Sequence, residues 1–476
     1  MVNKVEHPTL DERRAQGKAA RDRVAPSGHA GWEPAAGRPD PVALLVEQNL
    51  TREPDLVPVR HGRMMVSPFT FYRGAAKIMA ADLADTATAG LETQLCGDAH
   101  LSNFGGFASP ERVLLFDLND FDETLPGPFE YDVKRMAASF TIAARNNGHT
   151  EAEASAASLA SASAYREAML EFAEMGTMAV WYSRVSAQDV LDAVGAGTRS
   201  VKGAGKKQAK AVHKAALKTA RKAQTRDSTQ ALSKLAEHVD GRYRIISDPP
   251  GIIPLREMPA RYGYSADEIE HMVHEQFREY RASLREDHRH LLERFELVDV
   301  ARKVVGVGSV GTRAFVVLLQ GRDDQDPLFL QVKEATTSVL EDHLPKTRHR
   351  QPGERVVAGQ RLMQAASDIF LGWAKGSEDN RYMFWRQLRD MKVSATVETM
   401  GPGTLAAYAG FCGKTLARAH ARSGDPVAIA AYLGKKDRFD QALADFSRRY
   451  ADQNDQDFAA FCDAIQTGRL EALEGA

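Results

Sequence analysis

The densest group of residues able to do chemistry is Gly97-Asp98-Ala99-His100-Leu101-Ser102-Asn103. It is followed by VLLFDLNDFDET, which carries Asp117, Asp120 and Asp122. Carboxylates and an amide that converge where a loop meets a strand end supply the hard oxygen donors magnesium prefers. A magnesium ion so bound keeps positions open for the phosphates of a nucleotide. The competing reading is a polar loop in which Asp and Asn only cap turns. A second group lies far downstream, at Gly306-Val307-Gly308-Ser309-Val310-Gly311, followed by AFVVLLQG, a polar turn GRDDQDP, and LFLQVKEA with Lys333. In a dinucleotide site the third glycine opens a helix. The residues after Gly311 are instead β-branched and strand-like. They predict a glycine-rich hairpin over phosphates (Gly306, Gly308, Ser309, Gly311), with Lys333 on the next strand reaching the α- and β-phosphates. A hairpin with incidental glycines is the plain alternative.

The stretches SPFTFYRGAA, QLCGDAHLSNFGGF and FDLNDFDETLPGPFEYDVKRMAASF together resemble the bacterial family of domain of unknown function 2252, over most of residues 50–460. That family name carries no function. At greater distance, GDAHLSN is similar to the catalytic loop of aminoglycoside phosphotransferases and related kinases, whose pattern is His-Gly-Asp-x-His-x-x-Asn. This second resemblance implies that Asp98 orients the acceptor and takes its proton, that Asn103 holds a metal, and that Asp120 is the metal ligand bridging the phosphates. In that pattern an Asp at a helix start follows the metal Asp by twelve residues, and Asp132 stands twelve after Asp120. Asp117 and Asp122 stay open as alternatives. His100 matches the second His, as an architectural hydrogen-bonder. Cys96 stands where the pattern usually has His, which leaves open how the loop is braced.

In ordinary kinases the phosphate cradle and lysine precede the catalytic loop, whereas here they follow it. The implied fold is therefore α+β, a two-lobed protein-kinase-like fold, circularly permuted, with a large helical lobe and a small, mostly antiparallel sheet lobe. Permutation costs little when the cut falls in an exposed loop. Glu354, which opens the helix RVVAGQRLMQ, is expected to pair with Lys333, with Glu334 and Glu341 as alternatives. Gln387 and Leu388 are assigned, on chain order alone, to the hinge strand that meets adenine.

The elements that must position these residues follow from periodicity. Residues 1–59 mix charges with Pro and Gly and read as an extension or partly ordered arm. A catalytic and metal-binding segment is expected over 60–145, and helices over 146–296, where apolar residues recur at three- and four-residue spacings. A nucleotide-binding lobe of short strands and one helix is expected over 297–395, and C-terminal helices over 396–476. Residues 199–226 hold ten Lys or Arg and no acid, which reads as a solvated basic helix face or as a surface for phosphate or nucleic acid.

Composition narrows the function classes. The hydrophobic fraction of 43% and charged fraction of 26% exclude a fibrous or wholly disordered chain. A formal charge of −2 gives no global field toward nucleic acid or an anionic membrane. Three scattered cysteines exclude a disulfide framework and fit a reducing cytoplasm, and no signal peptide or membrane-spanning run is evident. The expected function is a cytoplasmic Mg-ATP-dependent phosphotransferase, with ATP and Mg2+ as cofactors and an unidentified acceptor. The rivals are an ATP-binding pseudokinase, an AMP transferase, and a nucleic-acid-associated protein using the basic helix.

Overall fold

Alternating apolar residues in AFVVLLQ and PLFLQVKE form the antiparallel strands Ala314–Gln320 and Pro327–Glu334. They lie at the centre of a six-stranded antiparallel sheet in the computed structural model, which describes residues 7–186, 188–189, 228–239, 241–258, 265–304, 306–376, 381–388, 391–473 and 475. The order across this sheet is Gly372–Lys375, Tyr382–Gln387, Pro327–Glu334, Ala314–Gln320, Glu296–Lys303 and Ile252–Pro254. Period-two alternation splits the Lys333 strand between two faces. Leu328, Leu330 and Val332 pack on Phe277 and Tyr280 of the helix Ala266–Ser283, while Lys333 points to the opposite face.

A second antiparallel sheet has the order Val393–Ser394, Phe104–Ala108, Leu114–Leu118, Val185–Ser186. Val393 pairs with Gly106, so the chain leaving the large sheet passes directly onto the strand that follows the Gly97–Asn103 loop. Helix Glu130–Asn146 begins just after this region, and Glu151–Ala173, Pro402–Ser423 and Arg438–Gln466 pack around it. Capping explains where several of these begin. Thr150 and Glu153 form a reciprocal capping box, and Pro402 occupies a first-turn position where its missing N–H costs nothing. The protein is thus a mixed α+β chain with several antiparallel sheets. Among the described residues, no helix is long and apolar enough to cross a membrane.

Three expectations change. Residues 7–59 pack into the body where the sequence reads as an extension or partly ordered arm: Leu45 is fully buried, and Arg38 bridges Asp82 and Asp457 at 2.6 Å each. Single apolar positions and one arginine do this work, which a periodicity test does not register. The stretch 146–296 is not helical throughout, because Ala236–Val239, Arg242–Ile245 and Ile252–Pro254 are strands. Helix Ala266–Ser283 moreover packs mainly on the large sheet, because its apolar face covers the side of the sheet opposite Lys333. The basic stretch 199–226 lies outside the described residues.

Candidate active site

Gly97–Asn103 is braced from below by one helix. Asp132, in the first turn of Glu130–Asn146, accepts the amides of Cys96 at 2.7 Å and Gly97 at 3.0 Å. His420 and Tyr165 back it, at 3.2 Å from Asp132 and 2.9 Å from His420 respectively. Arg135 is three residues after Asp132 and therefore on the same helix face. It donates to Asp98 at 2.8 Å and to the Tyr72 carbonyl at 2.8 Å. Gly97 has a φ of +86°, and a Cβ there would meet the Glu123 carbonyl oxygen at 2.2 Å. Only glycine lets the loop and the Asp120–Glu123 segment approach this closely.

Within the loop, Asn103 Nδ2 donates to the Asp98 carbonyl at 2.8 Å, which leaves the amide oxygen as the acceptor side of Asn103. His100 Nδ1 accepts the Ser102 amide at 3.2 Å, so the ring proton belongs on Nε2, 3.7 Å from Asp98. Burial, together with Arg135 and Arg73, pushes the imidazole well below its usual range and keeps it neutral. His100 thus packs beside Asp98, its Nε2 beyond hydrogen-bond reach of that carboxylate.

The second half of the site arrives from the large sheet. Lys333 Nζ lies 2.5 Å from Asp122 and 3.9 Å from Asp120, although 211 residues separate it from Asp122. Arg355 on helix Pro352–Met363 clamps this junction by donating to the carbonyls of Thr124 (2.6 Å), Asp122 (2.7 Å) and Thr336 (2.8 Å). Asp98, Asn103, Asp120 and Asp122 line a cleft of about 380 Å3 whose far wall includes Gly306, Gly308 and Ser309. Gly311 closes the same loop at a φ of +92°. The loop is tied to the N-terminal helices: Arg63 donates to the Gly306 carbonyl at 2.8 Å, the Glu53 amide to Gly311 at 2.7 Å, and Arg52 to Val310.

The charges divide the acids by role. Burial, only partly countered by Arg135, raises the Asp98 carboxyl to about 6. Burial also acts on Asp120, but Lys333, Arg386 and Lys392 outweigh it and hold that carboxyl below its ordinary value. Asp122, enclosed beside Asp120, is raised. Burial lifts Glu123 to about 7, even though it accepts the Val339 amide at 2.7 Å. Asp120 is thus shifted down while its neighbours Asp98, Asp122 and Glu123 are shifted up.

The oxygen donors fit a magnesium ion. Asp122 Oδ1 is buried without a hydrogen-bond partner, and Asp120 and the Asn103 amide oxygen share its cleft. Among the described residues, no three His, Cys, Asp or Glu side chains already converge in metal-ligand geometry. Magnesium bound through one or two carboxylates, with phosphates and waters completing its shell, needs no such cage.

The chain matches the model of a family described as uncharacterized protein conserved in bacteria (DUF2252) over residues 52–464. The chain belongs to that family. No curated protein and no solved structure matches it. The matched region of this DUF2252 chain contains Asp98, Asn103, Asp120, Asp122 and the glycine loop of the cleft, together with Lys333, while Glu47, Gln48 and Thr51 of the cleft lining precede it.

Three sequence-derived assignments do not reach the cleft. Asp117 is fully buried on the other side of its strand, where it pairs with Arg418 at 2.5 Å and accepts the Ala365 amide at 2.8 Å. Glu354 points outward to His349 at 3.5 Å, because the helix turns its neighbour Arg355 inward instead. Of its two alternatives, Glu334 pairs with Arg381 at 2.6 Å, and Glu341 lies 3.8 Å from Arg355. The amides of Gln387 and Leu388 are already used, by the Asp368 carboxylate and by the Phe329 carbonyl at 2.9 Å, so neither is available to a nucleobase. Arg73, Arg135, Glu123 and Lys77 were not assigned from sequence. Only Arg135 had a local signal, its three-residue offset from Asp132.

Proposed function

We propose that the protein transfers the γ-phosphoryl group of Mg-ATP to a hydroxyl-bearing acceptor, within a two-lobed kinase-like arrangement whose lobes occur in reversed order along the chain. The observation that carries this reading is the pairing of buried Lys333 with Asp120 and Asp122, two acids that line one cleft with Asp98 and the glycine loop. Asp120, Asp122 and the Asn103 amide oxygen would hold the magnesium, which when bound neutralises phosphate charge. Lys333 holds the nucleotide phosphates. Asp98, oriented by Arg135, accepts the acceptor's proton.

The reversed order has its own support. Helix Pro402–Ser423 ends where strand Glu92–Leu95 begins: Ser423 Oγ accepts the Gln94 amide at 3.1 Å, and a Cβ on Gly424 would lie 2.8 Å from the Glu92 carbonyl oxygen. An unpermuted chain would join there and run into Gly97–Asn103. The C-terminal segment also lies against the helix Val57–Met64, the Leu473 amide donating to the Pro58 carbonyl at 2.8 Å.

The test is incubation with γ-labelled and α-labelled ATP, magnesium and a metabolite extract. Movement of the γ-label supports phosphoryl transfer. Movement of the α-label would make the protein a nucleotidyl transferase, and binding without movement a pseudokinase. Lys333→Ala is expected to weaken Mg-ATP binding by the loss of a charge-assisted contact worth about 1.5–3 kcal/mol. Calorimetric titration reads this directly, and an unchanged affinity would remove Lys333 from the site.

A pH profile gives a second check. Asp98 must be deprotonated to accept a proton, and its carboxyl is raised to about 6. Turnover should therefore rise with pH through about 6 and level off above it, losing its base as pH falls. Slow ADP formation with water as the acceptor suffices for the measurement. A profile flat from about pH 5 to 8 would separate Asp98 from the proton transfer.

A further inference from the structure

The sequence stretch SPFTFYRGAA contains a side chain that the reading above leaves unused. Arg73 lies in the last turn of helix Pro68–Gly74 and lines the cleft together with Asp98 and Gly308. A Cβ on Gly308 would stand 3.1 Å from the Arg73 carbonyl oxygen, so this residue sits directly against the glycine loop. Other cations lining the cleft are engaged, Arg52 on the Val310 carbonyl and Lys77 on Glu47 at 3.0 Å and Asp342 at 2.9 Å. Arg73 differs. Among the described residues its guanidinium makes no hydrogen bond or ion pair; Nε is shut off from water without a partner, and Phe69 supplies a ring contact at 5.9 Å. Donors enclosed in this way cost free energy until an acceptor arrives. Asp98 and Glu398 are the carboxylates whose fields reach Arg73.

We infer that Arg73 is the cation that meets the phosphoryl group in transit, a role that rests on the phosphotransferase reading. In the transfer, the acceptor hydroxyl oxygen forms a bond to the γ-phosphorus while the bond from that phosphorus to the β,γ-bridging oxygen breaks. The electron pair of the broken bond stays on ADP, and the hydroxyl proton goes to Asp98. Charge on the migrating group lies between the glycine loop, which covers the nucleotide, and Asp98, which faces the acceptor. Arg73 lines the cleft beside both. Its planar fork suits the oxygens of a phosphoryl group better than a point charge does. Lys333, paired with Asp120 and Asp122, serves the bound nucleotide, so the two cations divide ground state from transition state.

The test needs no identified acceptor. Thermal melting is followed with MgADP and with MgADP plus aluminium fluoride, a mimic of the group in transit. The wild type should be stabilised by MgADP and further by fluoride. Arg73→Ala should keep the MgADP shift and lose the fluoride increment, with affinity for the fluoride complex falling by about 10²–10³. Arg73→Lys should recover only part of it. Arg73→Gln, which keeps the stem, replaces Arg73→Ala if that variant melts early without ligand. An intact increment in the alanine or glutamine variant, an absent increment in the wild type, or loss of MgADP binding itself in the variants would each overturn the role of Arg73 while leaving the nucleotide site standing. A wild type that binds no MgADP would instead overturn the phosphotransferase reading, and this inference with it.

Discussion

Asp98→Asn should lower turnover by about 10²–10⁴ while leaving Mg-ATP affinity within a few-fold of wild type, the range expected when a general base is removed. The substitution preserves shape and one oxygen acceptor, so Arg135 can keep a hydrogen bond at the position it now holds at 2.8 Å. What it removes is the site that takes the proton. Arg135 also donates to the Tyr72 carbonyl and lies 3.9 Å over the Tyr72 ring, which limits collapse of the loop. Asp120→Asn makes the contrast. It should weaken magnesium-dependent nucleotide binding itself, because this carboxylate is the one that Lys333, Arg386 and Lys392 keep ionised. Calorimetric titration of ATP with and without magnesium, run on both variants beside thermal melts, separates the two roles. If both variants lose only stability, and to the same degree, the loop is a set of turn formers and the catalytic assignment falls.

The second large effect is on stability. Asp117→Ala should cost about 3–5 kcal/mol, as expected when one partner of a buried ion pair is deleted. Asp117 and Arg418 are 2.5 Å apart with side chains 0% and 1% exposed. Arg418 Nε and Nη1 have no other hydrogen-bond partner, so the deletion leaves a buried guanidinium without its counter-charge. Asp117 also accepts the Leu118 amide at 2.9 Å and the Ala365 amide at 2.8 Å, which ties the Leu114–Leu118 strand to the chain after helix Pro352–Met363. The double variant Asp117→Leu, Arg418→Met should recover much of the loss, since neither charge is then buried alone. Denaturant midpoints for the single and double variants measure this. A stable Asp117→Ala protein that had lost magnesium-dependent nucleotide binding would return Asp117 to the metal site.

These two acids show where sequence reading stops. Asp117 and Asp120 are three residues apart in one acidic run. A strand sends successive side chains to opposite faces, but which face meets the cleft and which meets Arg418 depends on an arginine 301 residues away in sequence. The twelve-residue spacing from Asp120 to Asp132 favours Asp120 by resemblance alone, while the structure shows Asp132 bracing the Gly97 amide. The same reasoning fails for Glu354. Helical periodicity predicts that one of its neighbours points inward, yet only packing against Thr124 and Thr336 selects Arg355.

The sequence by itself determined the local elements: the alternating strands around Lys333, the helix after Pro352, and the helices after Pro402. These depend on interactions within a few residues, where propensity, capping and alternation suffice. It also marked Asp98, Asn103, Asp120 and Lys333 as candidates, by residue type and resemblance. Tertiary structure alone decided that Lys333 reaches Asp122, that residues 7–59 pack into the body, and that Arg52, Arg63 and Arg73 from the N-terminal segment attend the glycine loop. A lone arginine on a short helix has no periodic signature. Its role is set by which acceptors the rest of the fold brings within about 3 Å of its guanidinium, or leaves out.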